Sequence, residues 1–335
     1  MLYNIHLKNC NKMRRIIYLF ILLSISVVIR AQVSYTNTDA ANFYNQSIQL
    51  MKTDLASAIN ALDSCLKVCN IVGDSAIEIQ VKAEQFICDL NLRYATQLYY
   101  TDKKSSEALT VGKKTIVLSK KYNSDKIQEK AEKLVAQIYS NEGTNNFKNK
   151  EYDKAIANFD SALAYNPDLY KMYLNKALVY KLKDDIDKFG ENIDIYIKKA
   201  KENNDTAQVS LGNKQALDFY RVAGSKANAA NKLNDAIEFL NRALTYGQDK
   251  DVFYYLSDVY NKQKNYDKAL DYGQKGLELE NGDATAKAKY HYSIGVAYLG
   301  KGDKESACAF FKKAQFGQFA QAAKAQIINN KCDNK

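Results

Sequence analysis

The stretch EYDKAIANFDSALAYNPD (residues 151–168) settles the architecture because it comes back. It returns as KLNDAIEFLNRALTYGQD (232–249), NYDKALDYGQKGLELENGD (265–283) and GDKESACAFFKKAQFG (302–317). Fainter copies are DLASAINALDSCLKV (54–68) and KSSEALTVGKKTIVL (104–118). Each copy sets a small residue after its charged start: Ala58, Ala108, Ala155, Ala236, Ala269 and Ala307. In most of them a second small residue follows seven positions on, at Cys65, Ala162, Ala243, Gly276 and Ala314. Phe159, Leu240 or Phe311 lies between the two. Steps of four and three keep all of these on one face of a helix. Small residues on that face let a second helix come close.

A preceding helix supplies the other half of each unit. Its small contact points are Gly143, Ala177, Gly224, Ser257 and Gly295. An aromatic sits four residues ahead of most of them, at Tyr139, Tyr173, Tyr220 and Phe253, with His291 in that place in the last copy. Taken together the pattern resembles the tetratricopeptide repeat (TPR), W-x2-L-G-x2-Y…A-x3-F…P. In the copy around 151–168 the matching residues are Tyr139, Gly143, Ala155, Phe159 and Pro167, while Glu142 and Asn146 depart from the pattern. The copy at 250–282 offers Phe253, Leu256, Ser257, Tyr260 and Ala269, and the last offers Ile294, Gly295, Tyr298, Ala307 and Phe311. Phe189 replaces the marker alanine in the copy near 170–200, so that repeat is degenerate.

The resemblance implies an all-α fold: an α-α superhelix (TPR-like solenoid) of about seven helix pairs plus a C-terminal capping helix. One pair cannot bury its own apolar face, whereas stacked pairs can. The expected organisation is a signal peptide over 1–31, divergent N-terminal TPR-like helices over 32–135, and TPR pairs over 136–200. A possible hinge or extended helix follows over 201–217, then TPR pairs over 218–317 and a capping helix with a polar tail over 318–335. The markers Ala58, Ala108 and Ala155 are 50 and 47 residues apart, so the N-terminal copies need longer helices or an extra turn. The polar run KENNDTAQVSLGNKQ (201–215) is the hinge candidate, and FAQAAKAQIINN (319–330) the closing helix.

Composition agrees with helices joined by short turns. Only one Pro and 14 Gly occur in 335 residues, and 46% of the chain is hydrophobic. At the N-terminus Lys12, Arg14 and Arg15 precede an apolar run from Ile16 to Ile29, with Ala31 at a plausible cut site. That is the layout of a secretory signal, and the run is too short to span a bilayer comfortably. Its Ala31–Gln32 end resembles exported proteins of the Bacteroidetes. Cys10 lies ahead of the apolar run, which does not support a lipid anchor. Residues 1–31 hold five Lys/Arg and no acid, so without them the formal charge of +10 falls by half. The remaining charges interleave at helical spacing, as on solvated faces. The expectation is therefore an exported protein, periplasmic or extracellular and cell-surface associated, with no transmembrane segment in the mature chain and no nucleic acid among its partners.

Reactive chemistry finds little support. No G-x-S-x-G, H-E-x-x-H or P-loop occurs. LGKGDKES (299–306) lacks P-loop spacing, and Asp184 and Asp185 at a helix start offset its dipole. No catalytic residue, metal site or cofactor is expected, and His291 reads as a packing or surface residue. Among the cysteines, Cys65 and Cys69 share a helix face, Cys88 lies on a neighbouring helix, and an odd count after export leaves at least one free thiol. Whether Cys65, Cys69 and Cys88 form a disulfide stays open. Cys65 and Cys308 read as small buried apolar residues.

A binding surface is better founded. In the resembling family the first helix of each pair lines the concave face. Read at i, i+4 and i+7, that face offers Ser140, Thr144 and Phe147, with Lys148 beside them, then Leu174, Leu178 and Lys181. It continues with Arg221, Ser225 and Asn228, then Tyr254, Asp258 and Asn261, and finally Tyr292, Val296 and Leu299. Such a groove could take an extended peptide or a partner helix, with Tyr254 and Tyr292 as candidate anchors. The Lys/Asn/Arg set with which some family members grip C-terminal carboxylates is incomplete here. The function expected is a non-enzymatic protein–protein interaction scaffold that binds a peptide or partner protein. One alternative is a component of outer-membrane assembly or secretion machinery, associated with envelope proteins. Another is a glycan- or substrate-binding accessory protein, which the 25 tyrosines permit.

Overall fold

The structure, a computed structural model, describes residues 34–333. The export signal read at 1–31 lies outside the described residues. Among these the regular structure is helical, and no strand occurs. By packing the chain divides into two compact units, with the division between Val135 and Ala136.

The first unit contains α1 (Asn37–Leu50), α2 (Leu55–Val72), α3 (Ile77–Tyr100) and α4 (Ser105–Lys121). α1 packs on α2, and α3 on α4. Thr36 and Asp39 cap α1 reciprocally, each accepting from the other's backbone N–H, and Asp54 caps α2 through Ser57 N–H at 3.0 Å. α3 is 24 residues long and α2 is 18, which is why the alanine markers are so widely spaced here. Ala58, Leu62, Cys65, Ala83, Ile87 and Leu90 form the fully buried centre. The stretch Leu55–Tyr100 is long and apolar enough by composition to cross a membrane. It is two helices, interrupted at Gly73, and its apolar residues supply this centre. Cys65, Cys69 and Cys88 are buried free thiols. The Cys65 and Cys69 sulfurs lie 4.0 Å apart, and burial, then Cys69, pushes the Cys65 thiol up to about 12. These thiols are unreactive packing groups.

α5 (Asp125–Lys148) contains the division, and α6 (Tyr152–Tyr165) pairs with its second half. The second unit continues with α7 (Lys171–Leu182) and α8 (Ile186–Glu202), then α9 (Thr206–Ala229) and α10 (Leu233–Leu244). After them come α11 (Lys250–Lys262) and α12 (Tyr266–Leu279), α13 (Ala284–Gly300) and α14 (Lys304–Lys313), and the single α15 (Ala320–Asn329). Each first helix packs on its successor, and α11 also touches both α9 and α13. Among the described residues, seven helix pairs and a closing helix thus make an all-α fold of TPR-like pairs. The segment 201–217 comprises the end of α8, a short turn at Asn203–Asp205 and the first half of the 24-residue α9.

One turn recurs within the pairs. Lys150, Asp184, Asn231, Lys264 and Gly302 each have φ between 56° and 85°. The residue that follows donates its N–H to a carbonyl five residues back: Glu151 to Asn146 at 2.8 Å, Asn265 to Tyr260 at 2.8 Å, Asp303 to Tyr298 at 3.0 Å. This is a Schellman closure, and it fixes the angle at which each second helix returns. The pairs then lock at a point of backbone contact. A Cβ on Gly143 would meet Phe159 at 2.6 Å, and one on Gly224 would meet Leu240 at 2.5 Å. Burying Phe159 or Leu240 contributes roughly 1.5–3 kcal/mol each, and both are essentially solvent-free.

Cys308 departs from its reading as a small buried apolar residue. It is half-buried and bonded to Cys332, 24 residues on. α15 folds back on α14, packing Ile327 with Ala307 and Phe311, and so brings the two α-carbons to 5.3 Å.

Candidate functional site

The first helices α9, α11 and α13 lie side by side and carry a continuous polar layer. Asp205, Asp249 and Asp283 start them in one way, each accepting the N–H of the residue three positions on. With their starts fixed, side chains about one repeat apart meet across the helices. Arg221 Nη1 donates to Asp251 at 3.2 Å, Asn228 Nδ2 to Asp258 at 2.7 Å and Lys250 Nζ to Glu280 at 3.0 Å; each pair is 30 residues apart. Asn261 Nδ2 reaches the Ser293 carbonyl at 2.9 Å, and the Ser257 and Ser293 hydroxyls share a bond of 2.7 Å. Lys289 adds a second cation to Asp251, at 2.5 Å, and lies over the rings of Tyr254 and Tyr290. Lys262 bonds both Asp258, at 2.9 Å, and Asn228 Oδ1, at 2.7 Å. Three buried polar atoms in this layer have no hydrogen-bond partner: Arg221 Nε, Asn261 Oδ1 and Tyr290 Oη.

Burial works against the Asp251 carboxylate, but Lys289, with Arg221 and Lys250, outweighs it and holds the carboxyl below its usual range. Lys250, then the Gly282 N–H, does the same for Glu280. A carboxyl depressed in the folded state stabilises it above the unfolded pKa, and that contribution is lost as pH falls through the folded value. The melting midpoint should therefore drop as pH falls below about 4, and Asp251→Asn should flatten part of that drop. An unchanged acid profile in the variant would contradict the linkage.

Tyr254 and Tyr292 are both half-buried. Phe319, from the short 3-10 turn Gly317–Phe319, sits between them with ring centroids at 6.3 Å and 5.5 Å. Gly317 makes that turn possible: its φ is +54°, and a Cβ there would meet Thr285 at 2.6 Å. Burial, then Asp258, pushes the Tyr254 phenol upward, so it stays a protonated donor.

Two matches to family models coincide with this layer. The model described as tetratricopeptide repeat matches residues 222–284, and a second of the same description matches 288–315. These segments are tetratricopeptide repeats. TPR proteins mediate protein–protein interactions by binding proteins or peptides. Among curated proteins the chain is similar to mouse DnaJ homolog subfamily C member 7, at 27% identity over 182 residues. That match covers 45% of this chain and 35% of the relative, so the chain spans about a third of its length. Among solved structures it is similar to YrrB, a TPR protein with an unusual peptide-binding site: 20% identity, 62% of this chain and 96% of that one, TM-score 0.36. A TPR protein from Parabacteroides merdae aligns at 15% identity over 88% of this chain and 99% of that one, TM-score 0.28. At such scores the fold rests on the helices and repeats themselves.

The structure brings Arg221, Asn228, Tyr254, Asp258, Asn261 and Tyr292 into one TPR surface, with Ser225 half-buried on α9 among them. The other candidates stand apart from it. Thr144 bonds the Ser140 carbonyl of its own helix, Phe147 packs on Tyr152, and Lys148 is exposed at the end of α5. Leu178 is half-buried on α7, and Lys181 lines a separate cavity with Phe219 and Val222. Sequence reasoning missed Asp251, Lys289, Lys262, Ser293 and Phe319. A signal for some of them existed: residues able to pair, spaced about one repeat apart. His291 packs near Phe310, at 5.8 Å, and burial lowers its pKa. Among the described residues no group of three His, Cys, Asp or Glu side chains could hold a metal ion.

Proposed function

We propose that this protein is a non-enzymatic interaction scaffold that takes a peptide or partner protein across the first helices α9, α11 and α13. The observation that carries the reading is the polar layer with Arg221 Nε and Asn261 Oδ1 buried and unpartnered. Buried polar atoms are satisfied almost everywhere else in proteins, so an unmet donor and acceptor just beneath this polar surface favour a polar ligand, such as a peptide backbone, that reaches them as side chains shift. Pairing across helices holds Arg221, Asn228, Asp258 and Asn261 in place before a partner arrives. Little ordering cost then remains at binding. The protein acts in this reading by presentation rather than by chemistry.

Export to the periplasm or cell surface belongs to the same proposal. The Cys308–Cys332 disulfide supports it, because such bonds persist in oxidising compartments.

A photo-crosslinking residue in place of Ser225, introduced in the native cell, tests the binding face. The double variant Asn228→Ala/Asn261→Ala should cut capture of the major crosslinked partner at least tenfold. Capture that is the same with and without the two asparagines would refute the assignment.

A further inference from the structure

α9 leaves open a face that its counterparts bury. Lys226 stands where α11 has Val259 and α13 has Ala297, both fully buried. Val222, one turn earlier on the same side, is 49% exposed. The opening coincides with the degenerate repeat. In α8 a phenylalanine, Phe189, takes the place of the marker alanine, and its ring packs tilted against Phe219 of α9 with centroids 3.8 Å apart. α9 thus leans on α8 and α10, whereas α11 has first-helix neighbours on both sides.

The space left is a cavity of about 520 Å³ floored by Phe219, Val222 and Phe239. Its rim carries three lysines and three aspartates, one of which, Asp218, is held by Arg221 at 2.9 Å. A second cavity of about 520 Å³ adjoins it, and Ile186 and Phe239 line both. The two form one groove along α8, α9 and α10. The second chamber is acidic. Asp187, Glu191 and Glu238 line it, and none of them makes an ion pair among the described residues. Its one cation, Arg242, is already held by Asp194. None of Arg221, Asn228, Tyr254, Asp258 or Asn261 lines either chamber.

We propose that this groove is a second docking surface, separate from the α9–α11–α13 face, and that it takes a partner segment with an apolar anchor next to basic residues. The anchor sits on Phe219, Val222 and Phe239. The basic residues meet Asp187, Glu191 and Glu238, whose charge has no internal counterpart. Each chamber has the volume of an ordinary ligand site. The uncompensated acids select the sign of the partner and make association sensitive to salt.

Fluorescence anisotropy on the full chain tests this with a fluorescein-labelled nonapeptide bearing three leucines at one end and three lysines at the other. Binding in the micromolar range is expected, weakening as NaCl is raised. It should be lost when glutamates replace the lysines or serines replace the leucines. Val222→Asp and Glu191→Lys, both at exposed positions, should each weaken it at least tenfold, while Asn261→Ala leaves it unchanged. Should Glu191→Lys lower the melting midpoint, Asp187→Lys takes its place. No binding, equal binding of the lysine and glutamate peptides, or indifference to both groove variants overturns the proposal. Loss with Asn261→Ala alone would put the peptide on the α9–α11–α13 face and overturn it too. So would a concentration-dependent dimer abolished by Glu191→Lys, which would make the occupant a second copy of the chain.

Discussion

Replacing Gly224 with valine should destabilise the second unit by about 3 kcal/mol, at the upper end of the usual cost of overpacking a core. The first added carbon alone falls 2.5 Å from Leu240 Cγ and 3.3 Å from the Ala236 carbonyl. Leu240 is fully buried and cannot swing aside, and the carbonyl belongs to the α10 backbone. The helix propensity gained by removing a glycine, at most about 1 kcal/mol, does not offset a displaced helix. For a unit of this size the melting midpoint should fall by about 6–12 °C. Leu240→Ala supplies the control. In the double variant the valine methyls occupy space that the leucine has vacated, so the two losses should add to at least ~1 kcal/mol less than their sum. Strict additivity would show that the close approach of α9 and α10 is not what Gly224 serves.

Opening the Cys308–Cys332 bond should release α15. The helix has ten residues, too few to hold in water alone, and its buried residues are Ala323 and Ile327. Closing a loop of this length contributes about 3 kcal/mol. With Cys308→Ser/Cys332→Ser, amide exchange across Ala320–Asn329 should accelerate roughly a hundredfold, that figure being the same 3 kcal/mol expressed as an opening constant. Exchange in α9–α12 should stay as it was. Phe319 would lift from Tyr254 and Tyr292 together with the helix that follows it. Equal protection of α15 in oxidised and variant protein would show that packing on Ala307 and Phe311 suffices. The same pair tests the compartment: in intact cells Cys308 and Cys332 should resist alkylation until a reductant is added, and alkylation without reductant would argue against export.

The turns explain why some of the fold escaped a reading of the sequence. Six pairs close through a left-handed residue, at Lys103, Lys150, Asp184, Asn231, Lys264 and Gly302, and only the last is a glycine. Lysine carries no turn signal of its own. Its conformation is imposed by the closure at the end of the first helix, where the next residue's N–H reaches a carbonyl five or six residues back. The Cys308–Cys332 bond was hidden for a similar reason. Nothing in the spacing of two cysteines says that the ten residues of α15 will fold back over α14.

Local periodicity determined the helices, their pairing, the closing helix and the small contact points, because intervals of three and four fix a helical face whatever surrounds it. It also placed Arg221, Asn228, Asp258 and Asn261 on a common surface. Tertiary structure decided which of those side chains are available. Arg221 engages Asp251, Asn228 engages Asp258, and Phe319 packs between the two tyrosines that looked most like anchors. It also decided that α9 keeps an open flank beside the degenerate repeat. A residue's helical face is set by its neighbours in the chain, but what that face meets is set by helices a repeat or more away, whose spacing depends on side-chain volumes such as that of Phe189.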